Sequence, residues 1–260
     1  MSEAAKWALI TGATGGLGRE MARQLAAKGW SLVLHGRNAE TLMTLAGETA
    51  REGAIVRTVT ADLATTDGPA TLVAEVDALG IEVDLLVNNA GLGYTDQFVE
   101  SDLDRQRKLV QLDVMAPLEL CHAFGSRMAA RGHGQVMNVA SVAGVMPGPG
   151  MSTYFASKAF VLSLSEALHE ELSPRGVQVM ALCPGPVNTR FWEVAENGAK
   201  CAQALFLTPE EVCRIALVSL ARGRAICAPG PLSKVCYGFG RVAPYIVSRK
   251  VAAALTGKRG

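Results

Sequence analysis

Residues 7–20 read WALITGATGGLGRE. A short apolar run leads into glycines at 12, 16 and 18, and GREMARQLAAKG then carries apolar residues at helical spacing. The pattern reads as strand, tight turn, helix. Side chains in such a turn would keep the backbone away from a pyrophosphate. Glycines let the chain approach it, and the helix N-terminus presents N–H groups to the anion. The stretch therefore predicts the first strand–turn–helix unit of a nucleotide-binding α/β fold. Gly12, Thr14, Gly15, Gly16, Leu17 and Gly18 are the expected contacts.

Further apolar runs follow at 31–36, 54–61, 83–90, 134–141 and 177–184, with a weaker one at 225–228. Runs of this length rich in valine, leucine and isoleucine suit strands buried on both faces. Helix-patterned stretches separate them, such as FVLSLSEALHEELSPRG at 160–176, which stops at Pro174 and Gly176. The alternation predicts a Rossmann-type, doubly wound parallel sheet of about seven strands with helices on both faces. No repeat or linker interrupts it, so residues 1–260 read as a single domain. The stretch 190–207 is longer than a connector needs and reads as a substrate lid. Residues 229–260 read as a C-terminal extension.

The 260 residues are 49% hydrophobic and 19% charged, with a net charge of +1. That composition excludes a disordered chain and gives no nucleic-acid footprint. None of the six cysteines forms a C-x-x-C pair or a zinc-like cluster, so no metal is expected and the thiols read as reduced. The N-terminus has no leader pattern, and no stretch approaches the length of a spanning helix, so the expectation is a cytoplasmic protein.

The second strand ends LHGRN. Where NAD-binding folds place an acidic residue for the ribose hydroxyls, this chain has Gly36 followed by Arg37. A guanidinium there favours a 2′-phosphate, and hence NADP (NADPH) over NAD.

The ordered set TGATGGLG, ADL (61–63), NNAG (88–91), NVAS ending at Ser141, YFASK (154–158) and CPGPVNT resembles the short-chain dehydrogenase/reductase family. The resemblance implies a carbonyl–alcohol oxidoreductase in which Tyr154 is the general acid/base, Lys158 its partner and Ser141 the group that holds the substrate oxygen. Tyrosine alone has a pKa near 10, and a nearby ammonium stabilises its phenolate, so Lys158 is expected to lower it. Cofactor contacts implied are Asp62 and Leu63 near the adenine, and Asn89, Ala90 and Gly91 beside Asn88, which would brace the sheet. Tyr154 and Lys158 would lie at the ribose, and Pro184, Gly185, Val187 and Thr189 at the nicotinamide end. Asp62 could equally cap the following helix. The family also implies a homodimer or homotetramer.

One position departs from the pattern. Asp113, 28 residues before Ser141, stands where the family usually has the asparagine that completes a tetrad with serine, tyrosine and lysine. A carboxylate there would stabilise the Lys158 ammonium and compete with the phenolate for it. This leaves an alternative reading, an NADP(H)-binding regulatory protein with weak catalysis. Met146, Met151, Phe191, Trp192, Leu205 and Phe206 suggest an apolar pocket, hence a hydrophobic carbonyl or alcohol such as a fatty-acyl, terpenoid or steroid-like compound. The final segment, with Arg241, Arg249, Lys250, Lys258 and Arg259 among apolar residues, is expected to pack against the lid or a second subunit. Contact with a membrane surface is the alternative, disfavoured by the interruption at Pro244 and two glycines.

Overall fold

The computed structural model describes residues 5–51, 53–187 and 207–255. Seven strands form one sheet: β1 (Trp7–Ile10), β2 (Ser31–Gly36), β3 (Val56–Thr60), β4 (Leu85–Asn88), β5 (Gly134–Val139), β6 (Val177–Leu182) and β7 (Ile226–Cys227). Every pairing is parallel, and the order is β3-β2-β1-β4-β5-β6-β7. The chain winds outward from β1 in one direction and from β4 in the other. The switch between these strands opens a crevice at their carboxyl ends.

The register explains the apolar runs. Leu9, Val33, Leu86, Val136 and Val179 lie in one row across the sheet. They pack with α3 (Gly68–Ala78) and α5 (Ala116–Arg131). The adjacent row, Ile10, Leu34, Val87, Met137 and Met180, faces the opposite layer. That layer holds α1 (Gly16–Ala26), α2 (Ala39–Ala50) and, after further helices, α7 (Pro209–Ala221). Both faces of each central strand are thus buried, which is why these strands do not alternate apolar with polar. β3 lies at one edge of the sheet, and most of its residues are exposed.

A buried polar seam runs through this apolar interior. Asn88 Nδ2 donates to Asn138 Oδ1 at 2.8 Å, and Asn138 Nδ2 donates to the Ser165 hydroxyl at 2.9 Å. The seam ties β4 and β5 to α6 (Ser152–Leu172) at the level of the crevice. Four cysteines, at 121, 183, 213 and 227, are buried, and burial pushes the Cys121 thiol up to about 12 against the pull of Asn138 and Asn88. The described residues contain no disulfide.

α4 (Leu103–Val110) runs into α5 through a widened π turn at Gln111–Met115. Such turns carry an extra residue and often mark functional sites. After Val187 the chain leaves the described region and returns at Leu207, which pairs with Val187 in a parallel bridge. The lid expected at 190–207 lies outside the described residues apart from Leu207. α8 (Gly230–Val242) and α9 (Tyr245–Leu255) follow β7, separated at Pro244. Among the described residues no helix is long and apolar enough to cross a membrane.

Candidate active site

The crevice is a cavity of about 570 Å³, one wall of which is the glycine turn. Gly12 has φ +61, and an added Cβ would lie 2.9 Å from Ala90 Cα. At Gly18 a Cβ would lie 2.4 Å from the Gly12 carbonyl oxygen. Gly12 therefore supplies the turn, and Gly18 lets α1 seat against it. Gly15 precedes α1 with no side-chain cap, and the first turn carries no acidic residue. The first N–H groups of α1 are thus left for an anion.

His35 locks this turn. The Gly12 N–H donates to His35 Nδ1 at 3.4 Å, so Nε2 carries the proton and donates to the Ala61 carbonyl at 3.1 Å. Burial pulls its pKa down to about 4, against weaker raising effects from Ala61 and Asp62. The imidazole is therefore neutral at physiological pH. Behind the turn, Thr11 Oγ1 accepts from the N–H groups of Asn89 and Ala90, each at 3.0 Å. Asn89 Nδ2 donates to the carbonyls of Thr11 and Gly12 at 2.9 and 3.1 Å. Two loops are thereby fixed to each other at the sheet switch.

The opposite wall carries Ser141, Tyr154 and Lys158. Ser141 lies two residues beyond β5, where its hydroxyl accepts from the Ala143 N–H at 3.1 Å and shares a hydrogen bond with Tyr154. Tyr154 and Lys158 stand one turn apart on α6 and are both buried, at 8% and 6% exposure. Lys158 Nζ donates to the Val139 carbonyl at 3.3 Å and lies 5.6 Å from the Tyr154 ring centroid.

Behind Lys158 stands Asp113, 1% exposed on the π turn. Its Oδ2 is 3.0 Å from Lys158 Nζ, and its Oδ1 accepts from the Leu92 N–H at 2.8 Å. A Cβ on Gly91 would sit 3.2 Å from Asp113 Oδ2 and 3.3 Å from Lys158 Nζ, so glycine leaves room for the pair. Burial raises Asp113, against the pull of Lys158 and the Leu92 N–H. For Lys158, burial favours the neutral amine, but Asp113 and Tyr154 outweigh it and hold the ammonium above its ordinary pKa.

Tyr154 differs from expectation. Burial raises its pKa; Lys158 and Ser141 lower it; Asp113 raises it again, and the net shift is upward. The lysine does act in the anticipated direction, but desolvation is larger, and the carboxylate offsets part of its field.

Most residues named from the sequence line this one cavity. Gly12, Thr14, Gly15, Gly16 and Leu17 line it, as do Arg37, Asp62 and Leu63. Asn89, Ala90 and Gly91 also line it, together with Pro184, Gly185 and Val187. Gly18 and Asp113 stand behind the lining, and Thr189 lies outside the described residues, as do Phe191, Trp192, Leu205 and Phe206. Asp62 accepts from the Ala64 N–H at 3.1 Å within a tight turn and does not cap α3, which begins at Gly68. Met146 and Met151 line the cavity, joined by Phe155 of YFASK and by Leu92, Leu112, Leu232 and Cys236, which the motifs do not reveal. Leu232 and Cys236 come from α8, so the segment after β7 is part of the pocket. His35 is also missing from the motifs; its signal is a histidine inside an otherwise apolar strand.

A family model described as short chain dehydrogenase matches residues 6–199. The very-long-chain 3-oxoacyl-CoA reductase of Coprinopsis cinerea is 34% identical over 225 residues, which cover 84% of this chain. The chain spans 65% of that relative's length. A short-chain dehydrogenase from Sphingobium yanoikuyae, solved in complex with NADPH, superposes with a TM-score of 0.81 at 32% identity, covering 86% of this chain and 87% of that one. The bulky-bulky ketone specific alcohol dehydrogenase from Comamonas testosteroni superposes with a TM-score of 0.78 at 28% identity, covering 93% and 96%.

Proposed function

We propose that this chain, which belongs to the short-chain dehydrogenase/reductase family, uses NADP(H) to interconvert a ketone and a secondary alcohol on an apolar substrate. One observation carries the reading: Ser141, Tyr154 and Lys158 face the same cavity as the glycine turn and Arg37. The residues fit a dinucleotide, because the uncapped start of α1 offers N–H groups to its pyrophosphate. Arg37 is exposed at the cavity edge, suited to a 2′-phosphate. Asp62 and Leu63 would flank the adenine, and Lys158 with the Asn89–Gly91 loop would hold the nicotinamide ribose. The Pro184–Val187 turn would sit at the ring.

When bound, the nicotinamide supplies or accepts the hydride. The protein's own work is positional and protic. Ser141 holds the substrate oxygen, and Tyr154 gives its proton to that oxygen during reduction. Tyr154, whose pKa burial shifts upward, is protonated at neutral pH, as its role as the acid in reduction requires. Asp113 would hold Lys158 as an ammonium and restrain how far Tyr154 can ionise. The apolar lining, with Met146, Met151, Phe155 and Leu232, supports a hydrophobic substrate. The similarity to a very-long-chain 3-oxoacyl-CoA reductase and to a bulky-bulky ketone specific alcohol dehydrogenase supports the same class.

NADPH consumption against bulky apolar ketones and small polar carbonyls, with NADH alongside, tests the assignment. We expect turnover on apolar ketones with NADPH. Tyr154→Phe should lower turnover by about 100-fold or more while NADPH still binds. Retained turnover would remove Tyr154 as the acid. The regulatory reading is favoured by one feature, the ion pair that engages Lys158. Tight NADPH binding with no turnover on any carbonyl would establish it instead.

A further inference from the structure

The net charge of +1 conceals a strong asymmetry along the chain. Residues 212–260 contain nine lysines and arginines and no aspartate or glutamate, so residues 1–211 carry a net charge of −8. The two helices in this basic stretch also leave apolar side chains in solvent. On α8, Val235 is 68% exposed and Val242 is 83% exposed. Seven residues apart, they share one helical face, flanked by exposed Lys234 and Arg241. On α9, Ser248 and Ala252 are buried and mark the inward side. Ile246, Val247 and Lys250 lie away from it, and Ile246 is 64% exposed. Arg241 pairs with Glu166 at 2.7 Å. Lys234, Arg249 and Lys250 form no ion pair among the described residues.

We propose that the outer faces of α8 and α9 form a docking surface for an anionic lipid bilayer. Aliphatic side chains among unpaired cations are what an interfacial helix presents to the headgroup region. A nucleic acid would be met by cations and aromatic or polar groups, not by valine and isoleucine. A second copy docking symmetrically would oppose the same all-basic segment to itself, which like-charge repulsion disfavours. Pro244, which from sequence alone argues against one continuous amphipathic helix, only divides the surface into two helices. α8 also reaches the cavity through Leu232 and Cys236, so its inner side belongs to the pocket while its outer side meets lipid.

The test is co-sedimentation of the full chain with vesicles, without substrate, so it stands apart from the redox reading. Vesicles of phosphatidylcholine alone are compared with vesicles containing about one third phosphatidylglycerol, at low and high salt. We expect binding to the anionic vesicles at low salt, weakened by salt. The Arg249→Gln/Lys250→Gln double variant should bind about 30-fold more weakly. Val242→Ser/Ile246→Ser should lose binding while the thermal melting temperature, which reports the intact fold, is kept. Wild-type protein that remains in the supernatant with both compositions would overturn the proposal, as would binding unchanged in both double variants. Sedimentation velocity showing that the same variants dissociate an oligomer, with no lipid binding by wild type, would assign the face to a second copy instead.

Discussion

Asp113 and Lys158 lie 3.0 Å apart, both buried, with Tyr154 one helical turn from the lysine. The carboxylate raises Lys158 and Tyr154 together, because it stabilises the ammonium and repels the phenolate. Asp113→Asn removes that charge and keeps an oxygen for the Leu92 N–H. The Tyr154 pKa should then fall, so the rising limb of alcohol oxidation against pH should move to lower pH. Ketone reduction near neutrality should be equal or faster. An unchanged oxidation profile would show that the carboxylate exerts no field on the tyrosine. Arg37→Ala should weaken NADPH about 10- to 100-fold, the scale of a lost charge-assisted bond, and NADH much less. Equal losses for both would remove the phosphate assignment. Residue by residue, the chemistry is legible where a motif names it, and the odd residue at 113 is legible as a departure. The direction of the Tyr154 shift is not. It depends on how completely the site is buried, and no spacing in YFASK reports that.

Strands were legible because burial on both faces makes each a run of apolar residues. Their ends were not, since the run 83–90 contains a strand only at Leu85–Asn88. Asn89 and Ala90 belong to the loop that bonds Thr11 and lines the cavity, and these residues are chosen for close approach instead of pairing. The π turn at Gln111–Met115 has no compositional mark, because QLDVM suits an ordinary helix equally well. The turn before α1 was legible through its glycines, and there the element's fit can be tested. In Gly18→Ala the new Cβ would meet the Gly12 carbonyl oxygen at 2.4 Å and Ala13 Cα at 2.9 Å. Both are backbone and cannot rotate away. The helix must shift, at about 1–3 kcal/mol. Thermal melting should show that loss, and NADPH affinity should fall with it as the α1 N–H groups move. Normal melting and affinity together would mean that α1 does not depend on this contact.

For the whole molecule, His35 couples stability to acidity. Its unfolded pKa is near 6.5, and its buried, folded value is about 4. The stability this neutral imidazole contributes is complete above about pH 6.5. It is lost as pH falls toward 4, where the unfolded chain binds a proton that the folded chain refuses. The full loss is about 3 kcal/mol. Denaturant titrations between pH 7 and 4 should show the decline, and His35→Gln should flatten it. A wild-type stability that stays level over that range would contradict the neutral buried histidine. The five described cysteines give the molecule another property. Cys121, Cys183, Cys213 and Cys227 are sealed in the interior, whereas Cys236 is half-buried and borders the cavity. Thiolate chemistry requires both access and ionisation, and burial denies the first four both. Alkylation of those four is therefore a clock that advances only when the sheet comes apart.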